Sequence, residues 1–119
     1  MSQPIRLYGI RNCDSMKKAR AWLDAQGVAY QFHDYKTQGL DEALLREWIS
    51  ALGWETLINR RGQTWRKLDP AVRDGMDEAQ AIRVMLDHPS IIRRPLLDTG
   101  EQRHLGFSET DYAAIFGSS

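Results

Sequence analysis

Hydrophobic and polar residues in the first third of the chain follow strand and helix patterns in turn. Residues 5–8 form a short apolar run that predicts a strand, and Gly9 ends it. Apolar positions then recur at helical spacing as far as Gly27, which predicts a helix over 14–26. Residues 28–33 alternate between apolar and polar side chains, the pattern of a second strand. A right-handed crossover through the helix would make the two strands parallel.

The middle of the chain is mainly helical in its pattern. Asp41 is a plausible cap for a helix that ends before Gly53, and its apolar face consists of Leu44, Leu45, Trp48, Ile49 and Leu52. Asp77 begins a capping-box signature for another helix, which Pro89 ends. Residues 55–74 show no clear period, so the pattern leaves their structure open.

The C-terminal pattern predicts a hairpin and a last helix. Short runs at 95–98 and 102–106 flank a polar turn, which favours two antiparallel strands, and Ser108 is a cap signature for the helix that follows. The elements therefore run βαβ, helices, ββα. This order predicts one α/β domain over residues 1–119, with a helical insertion of about 40–90.

Composition limits the classes of function. A chain of 119 residues suits one domain, and its 16 basic residues balance 16 acidic ones, so no general charge attracts nucleic acid or an anionic membrane. There is no apolar signal region and no run near the roughly 18 apolar residues of a membrane span, which predicts a cytoplasmic protein without a membrane partner. No cysteines and histidines stand at metal-ligand spacing, so we expect no metal.

The only cysteine, Cys13, lies between the first predicted strand and the first predicted helix. The unpaired N–H groups at a helix start carry roughly half a positive charge, and a thiol held there has its pKa lowered from about 8.5 to about 3.5–7.5. The alternative is a buried cysteine that packs as a small apolar residue. Polar neighbours on both sides of Cys13 favour the nucleophile.

Two motifs resemble those of the ArsC/Spx family of arsenate-reductase-like proteins, and the first resembles the YffB-type subgroup in particular. The first occupies residues 8–19 and reads Tyr-Gly-Ile-Arg-Asn-Cys-Asp-Ser-Met-Lys-Lys-Ala. The second occupies residues 88–97 and reads His-Pro-Ser-Ile-Ile-Arg-Arg-Pro-Leu-Leu. The resemblance covers roughly residues 5–116. It implies a thioredoxin-like fold, which agrees with the predicted order of elements.

The resemblance also implies a set of site residues around Cys13. It places Arg94 near the sulfur, next to Pro95, which is usually cis in such folds. It suggests Arg61 as an anion-binding residue, although Arg60 beside it leaves the register open. Asn12 and Pro95 would be structural residues at the site. Arg11, in the loop before the cysteine, is a further candidate for contact with an incoming anion, and ordinary solvent exposure is the alternative for all three arginines.

Two departures from the family pattern narrow the chemistry. Members that act as thiol-disulfide switches carry a second cysteine three residues on, where this chain has Met16. Arsenate reductases carry a further arginine in a Leu-Cys-Arg-Pro-like segment, where this chain has residues 104–107. We therefore expect an oxidoreductase with a monothiol mechanism, in which Cys13 attacks a disulfide, or an oxidised or oxyanion substrate, and forms a covalent adduct. Glutathione would then resolve the adduct as a co-substrate.

Two alternatives remain open at this point. The Spx branch of the family binds RNA polymerase, so a regulatory protein with that partner is possible, and without a second cysteine its action would be constitutive. True arsenate reduction, with glutathione and glutaredoxin as partners, is the other alternative.

Overall fold

Cys13 and Asp14 mark the point where the chain turns from a strand into a helix. The structure, a computed structural model, describes residues 4–117. The described residues up to Asp34 and from Arg94 onward form one unit, and Tyr35–Arg93 form a second. The predicted single domain over the whole chain stays a prediction, and the helical part begins and ends a few residues outside the predicted range of about 40–90.

A four-stranded mixed sheet organises the first unit. Its order is β2-β1-β3-β4, with β1 and β2 parallel and the other two pairs antiparallel. The strands are β1 Arg6–Gly9, β2 Gln31–Asp34, β3 Leu96–Asp98 and β4 Arg103–Leu105, and the helices of this unit are α1 Asp14–Ala25 and α8 Glu109–Ile115. The predicted parallel crossover and the C-terminal hairpin are thus confirmed.

The second strand begins later than the sequence pattern predicts. It covers Gln31–Asp34 instead of residues 28–33. The register explains the difference, because Arg6, the first residue of β1, pairs with Gln31 and leaves residues 28–30 without a strand partner. The side chains of Val28 and Tyr30 still pack against the core, which accounts for the alternating pattern in the sequence.

The core of this unit lies where α1 and α8 pack on the sheet. Its fully buried members are Leu7, Met16, Ala19, Leu23, Leu97 and Tyr112. The hydroxyl of Ser108 accepts a hydrogen bond from the Asp111 backbone N–H at 3.0 Å, which confirms the predicted cap of the last helix. The ring of Phe107 meets the ring of Tyr112 edge-on, with centroids 4.8 Å apart.

The second unit is helical. Its helices are α2 Tyr35–Gln38, α3 Glu42–Leu52, α4 Trp54–Leu57, α5 Gln63–Lys67, α6 Pro70–Asp74 and α7 Glu78–Asp87, with a 3₁₀ turn at Pro89–Ile91. The side chains of Asp41 and Asp77 cap α3 and α7 by accepting backbone N–H groups, as predicted. The sequence pattern did not predict the structure of residues 55–74. Three helices of four or five residues cover most of this region, and they are too short to show a hydrophobic period.

The described residues contain no helix that is long and apolar enough to cross a membrane.

We expect Tyr112→Phe to raise the free energy of unfolding by up to about 1 kcal/mol. Tyr112 is completely buried, and its hydroxyl forms no hydrogen bond with a described residue, so the substitution removes a polar group whose burial costs energy. Urea denaturation of both proteins measures the difference. A loss of more than about 1 kcal/mol would show that the hydroxyl has a stabilising partner.

Candidate active site

Cys13 is the N-cap residue of α1. Its backbone is extended (φ −127°, ψ 131°), and its carbonyl accepts the first hydrogen bond of the helix from the Lys17 N–H at 3.0 Å. The residue is only partly buried. A sulfur at this position lies beside the unpaired N–H groups of the first helical turn and stays accessible to solvent.

The surroundings of Cys13 favour the thiolate over the thiol. Burial by itself would raise the pKa of the Cys13 thiol, but the backbone N–H of Met16, the guanidinium of Arg94 and the backbone N–H of Ser15 together lower that pKa below its ordinary value. Backbone N–H groups in the first turn of a helix carry a positive partial charge, which stabilises a thiolate more than a neutral thiol.

Arg94 reaches Cys13 from the segment that leads into β3. Its guanidinium stabilises the sulfur anion both as a hydrogen-bond donor and by its charge. Pro95 follows in a cis peptide bond, is buried, and accepts the Gly106 N–H at 2.9 Å through its carbonyl. The structure thus brings together Cys13, Arg94 and Pro95, which the family resemblance had associated.

Asp34 is a site residue that the sequence did not reveal. It is the one buried charged residue among those that the structure describes, and its carboxylate accepts the backbone N–H of Arg11 at 3.3 Å. This bond fixes the loop that carries Cys13, while the surface of Arg11 stays exposed. Asp34 pairs with Gly9 at the ends of two parallel strands, so it faces the loop that follows Gly9. The sequence did contain one indication of this role, because Asp34 is a polar residue directly after the predicted second strand.

Met16 occupies the position at which the switch-type relatives carry their second cysteine. It is fully buried and packs against Gly9. A Cβ atom at Gly9 would overlap the Met16 sulfur, so any larger residue here would require the Met16 side chain to shift. Met16 is therefore a core residue beneath the cysteine loop.

Two further predicted site residues, Arg61 and Asn12, form no contact among the described residues that would show a role at Cys13. Arg61 belongs to the helical unit, where it lines an open cavity of about 450 Å³ together with Arg60 and Arg93. Both candidate arginines of this turn therefore face the same cavity. Their participation in chemistry at Cys13 stays a prediction, as does the structural role of Asn12, which is exposed.

The arrangement at Cys13 can perform nucleophilic attack through sulfur. It offers a stabilised thiolate, an arginine that suits an oxyanion or carboxylate, and access from solvent. Within residues 4–117, no three metal-binding side chains of the His, Cys, Asp or Glu type lie close enough to hold a metal ion together.

The family model for ArsC matches residues 8–115. The chain belongs to the ArsC family. Among ArsC-related structures, the YffB protein is 53% identical, covers 92% of this chain and 96% of its own, and superposes with a TM-score of 0.88. An arsenate reductase (ArsC) related protein from Brucella melitensis is 44% identical, covers 98% of both chains, and has a TM-score of 0.78. These similarities confirm the thioredoxin-like α/β fold and the YffB-type subgroup.

The similar sequences include an uncharacterised protein and a transcriptional regulator. An uncharacterised protein of Haemophilus influenzae is 38% identical over 94% of this chain and 98% of its own length. The global transcriptional regulator Spx of Streptococcus mutans is 32% identical over 93% of this chain and 82% of its own length. Family membership therefore leaves both a reductase and a regulator to be distinguished by the site.

We expect Arg94→Gln to raise the pKa of the Cys13 thiol, because the substitution removes the guanidinium that favours the thiolate. Each unit of increase lowers the thiolate fraction at neutral pH about tenfold, so alkylation by iodoacetamide becomes slower. The pH dependence of the alkylation rate, followed by mass spectrometry, measures the change. Arg93→Gln is the matched control, since it removes a neighbouring exposed guanidinium and leaves Arg94 in place.

A wild-type pKa near or above about 8.5 would contradict the proposed stabilisation of the thiolate. Equal pKa values in the wild type and in Arg94→Gln would show that Arg94 contributes nothing to it.

Proposed function

We propose that the chain is a glutathione-dependent thiol reductase with Cys13 as its single nucleophile. The observation that supports this most directly is the position of Cys13, partly exposed at the start of α1 and beside the Arg94 guanidinium. These surroundings lower the pKa of the Cys13 thiol despite its partial burial. A cysteine kept only for packing has no use for an arginine at its sulfur. The cytoplasm, where thiols are kept reduced, is the compartment in which such a residue can be recycled.

The reaction would proceed through one mixed disulfide. The Cys13 thiolate attacks the glutathione sulfur of a substrate-glutathione disulfide, the substrate's S–S bond breaks, and the substrate leaves as a thiolate that takes up a proton. A second glutathione thiolate then attacks the glutathione sulfur bound to Cys13. Glutathione disulfide leaves, and the Cys13 thiolate is restored. In each cycle one free glutathione is consumed, and the substrate–glutathione disulfide is exchanged for a free substrate thiol and glutathione disulfide.

Arg94 would have two tasks in this reaction. Before attack it stabilises the Cys13 thiolate, and once the thiolate charge is lost in the mixed disulfide, its guanidinium is available for a carboxylate of glutathione. Arg61 is a second candidate for such a carboxylate on the strength of the family resemblance. This part of the proposal rests on the ability of arginine to bind oxyanions in a fork geometry.

A disulfide substrate fits the site better than arsenate. The segment where arsenate reductases carry a further arginine contains none in this chain at residues 104–107. Arg103, just before it, lies 3.6 Å from the carboxylate of Asp98 through its Nε atom. Its charge is partly neutralised there, so it does not replace the absent oxyanion ligand.

We expect incubation with oxidised glutathione to add one glutathione to the wild-type chain, and reduced thiol to remove it. Cys13→Ser should form no adduct, because the nucleophile is absent. Arg94→Gln should react more slowly at neutral pH. Arg83→Gln removes an exposed guanidinium of α7 that does not line the cavity of Arg61, and it should match the wild type. Intact-mass spectrometry measures all four proteins. Absence of the wild-type adduct, or an adduct that persists in excess reduced thiol, would contradict the proposal.

A regulator of the Spx type is the second candidate, and the similarity to the S. mutans regulator over nearly the whole chain favours it. Its expected partner is RNA polymerase, and its binding would not depend on the thiol. Affinity capture from cell extract distinguishes the two. Under the reductase proposal we expect capture by the wild type only as reducible mixed disulfides and no capture by Cys13→Ser. RNA polymerase bound equally by both proteins would support the regulator instead.

A further inference from the structure

The helical unit contains a second open cavity, which the chemistry of Cys13 does not use. Its volume is about 720 Å³, and three short helices contribute to its lining: α4, α5 and α6. The polar and aromatic lining residues are Trp54, Glu55, Arg60, Trp65, Arg73 and Asp74. Two indoles, two guanidiniums and two carboxylates thus surround one space.

Arg73 provides the strongest indication of a ligand. Its side chain is half-buried on α6, and its Nε atom is buried without a hydrogen bond to any described residue. The carboxylates of Glu55 and Asp74 line the same cavity, yet neither forms an ion pair with Arg73 among the described residues. A buried donor without a partner is costly. An anionic group that binds the terminal NH groups of the same guanidinium from the cavity would offset part of that cost.

Arg60 and Trp65 form a second binding surface in the cavity. The guanidinium of Arg60 lies over the Trp65 ring, 5.5 Å from its centroid, and its NH2 atom is 3.8 Å from the carboxylate of Glu55. The side chains of Arg60 and Glu55 are 54% and 70% exposed, so their ion pair is weak and easily opened by a competing charge. Both groups are therefore available to a ligand.

The charges in the cavity identify the class of ligand. Two arginines and two carboxylates balance, so a multiply charged anion such as a nucleoside triphosphate would meet repulsion from Glu55 and Asp74. A molecule with one carboxylate and one ammonium meets a partner for each. The indole faces of Trp54 and Trp65, with Met76 beside them, suit an apolar body between these charges.

We propose that this cavity binds a zwitterionic α-amino acid with an apolar side chain, or the equivalent group of a short peptide. Arg73 binds the carboxylate, the acidic residues Glu55 and Asp74 bind the ammonium, and the two indoles contact the side chain. The proposal is independent of the reductase reaction, since none of these residues has a role in that reaction.

Titration of the full-length ¹⁵N-labelled protein with L-phenylalanine and with L-leucine tests the proposal by NMR. The indole N–H signals of Trp54 and Trp65 are expected to shift and saturate in the millimolar range, at a binding free energy of about −4 kcal/mol. Trp22, in the other unit, and Trp48, in the core, serve as internal controls and are expected not to move.

Chemical variants of the ligand test the two charges separately. N-acetyl-L-phenylalanine lacks the ammonium, and L-phenylalanine amide lacks the carboxylate, so each should bind about tenfold more weakly or worse. The dipeptide Phe-Gly, whose ammonium and carboxylate lie farther apart, distinguishes the two sources: tighter binding than L-phenylalanine indicates a peptide, and weaker binding a free amino acid.

Protein variants test the assigned residues. Arg73→Gln should weaken binding about tenfold, and Asp74→Asn should weaken binding of L-phenylalanine but not of the N-acetyl derivative. Arg66→Gln is the matched control, because Arg66 is exposed on α5 and does not line the cavity. The proposal is wrong if neither amino acid gives a saturable shift, if both derivatives bind as well as the parent, or if Arg73→Gln binds like the wild type.

Discussion

The stabilisation of a negative charge on one sulfur atom is the interaction on which the candidate site depends. Two separate parts of the first unit supply it: the start of α1 through backbone N–H groups, and the segment before β3 through Arg94. Together they outweigh the effect of burial on the pKa of the Cys13 thiol. The sheet order explains how both reach the sulfur, because β1, which leads to Cys13, pairs directly with β3, which follows Arg94.

The loop between β1 and α1 must hold the sulfur in place, and two contacts restrain it. Asp34 binds the backbone N–H of Arg11, on the side of β2. Met16 packs under Gly9 at the end of β1. A buried carboxylate and a core side chain therefore hold the backbone of the loop that carries Cys13. The Cys13 side chain stays accessible while the backbone of its loop is held in place.

Much of this arrangement followed from local sequence signals, and the rest required contacts between distant residues. The helix caps at Asp41, Asp77 and Ser108 could be predicted from the sequence, because each cap joins two residues only three positions apart. The start of β2 was misplaced because strand ends depend on the register with a partner. Asp34 was missed because its bond to Arg11 spans 23 residues, and the cavity was missed because its helices are too short to show a period.

The packing of Met16 against Gly9 also bears on how this chain could evolve. A cysteine at position 16 would be smaller than methionine and would leave unfilled volume beneath the loop, so a single substitution toward the two-cysteine pattern would lower stability. A side chain larger than that of glycine at position 9 would occupy part of this volume, so the effects of substitutions at positions 9 and 16 are expected to depend on each other.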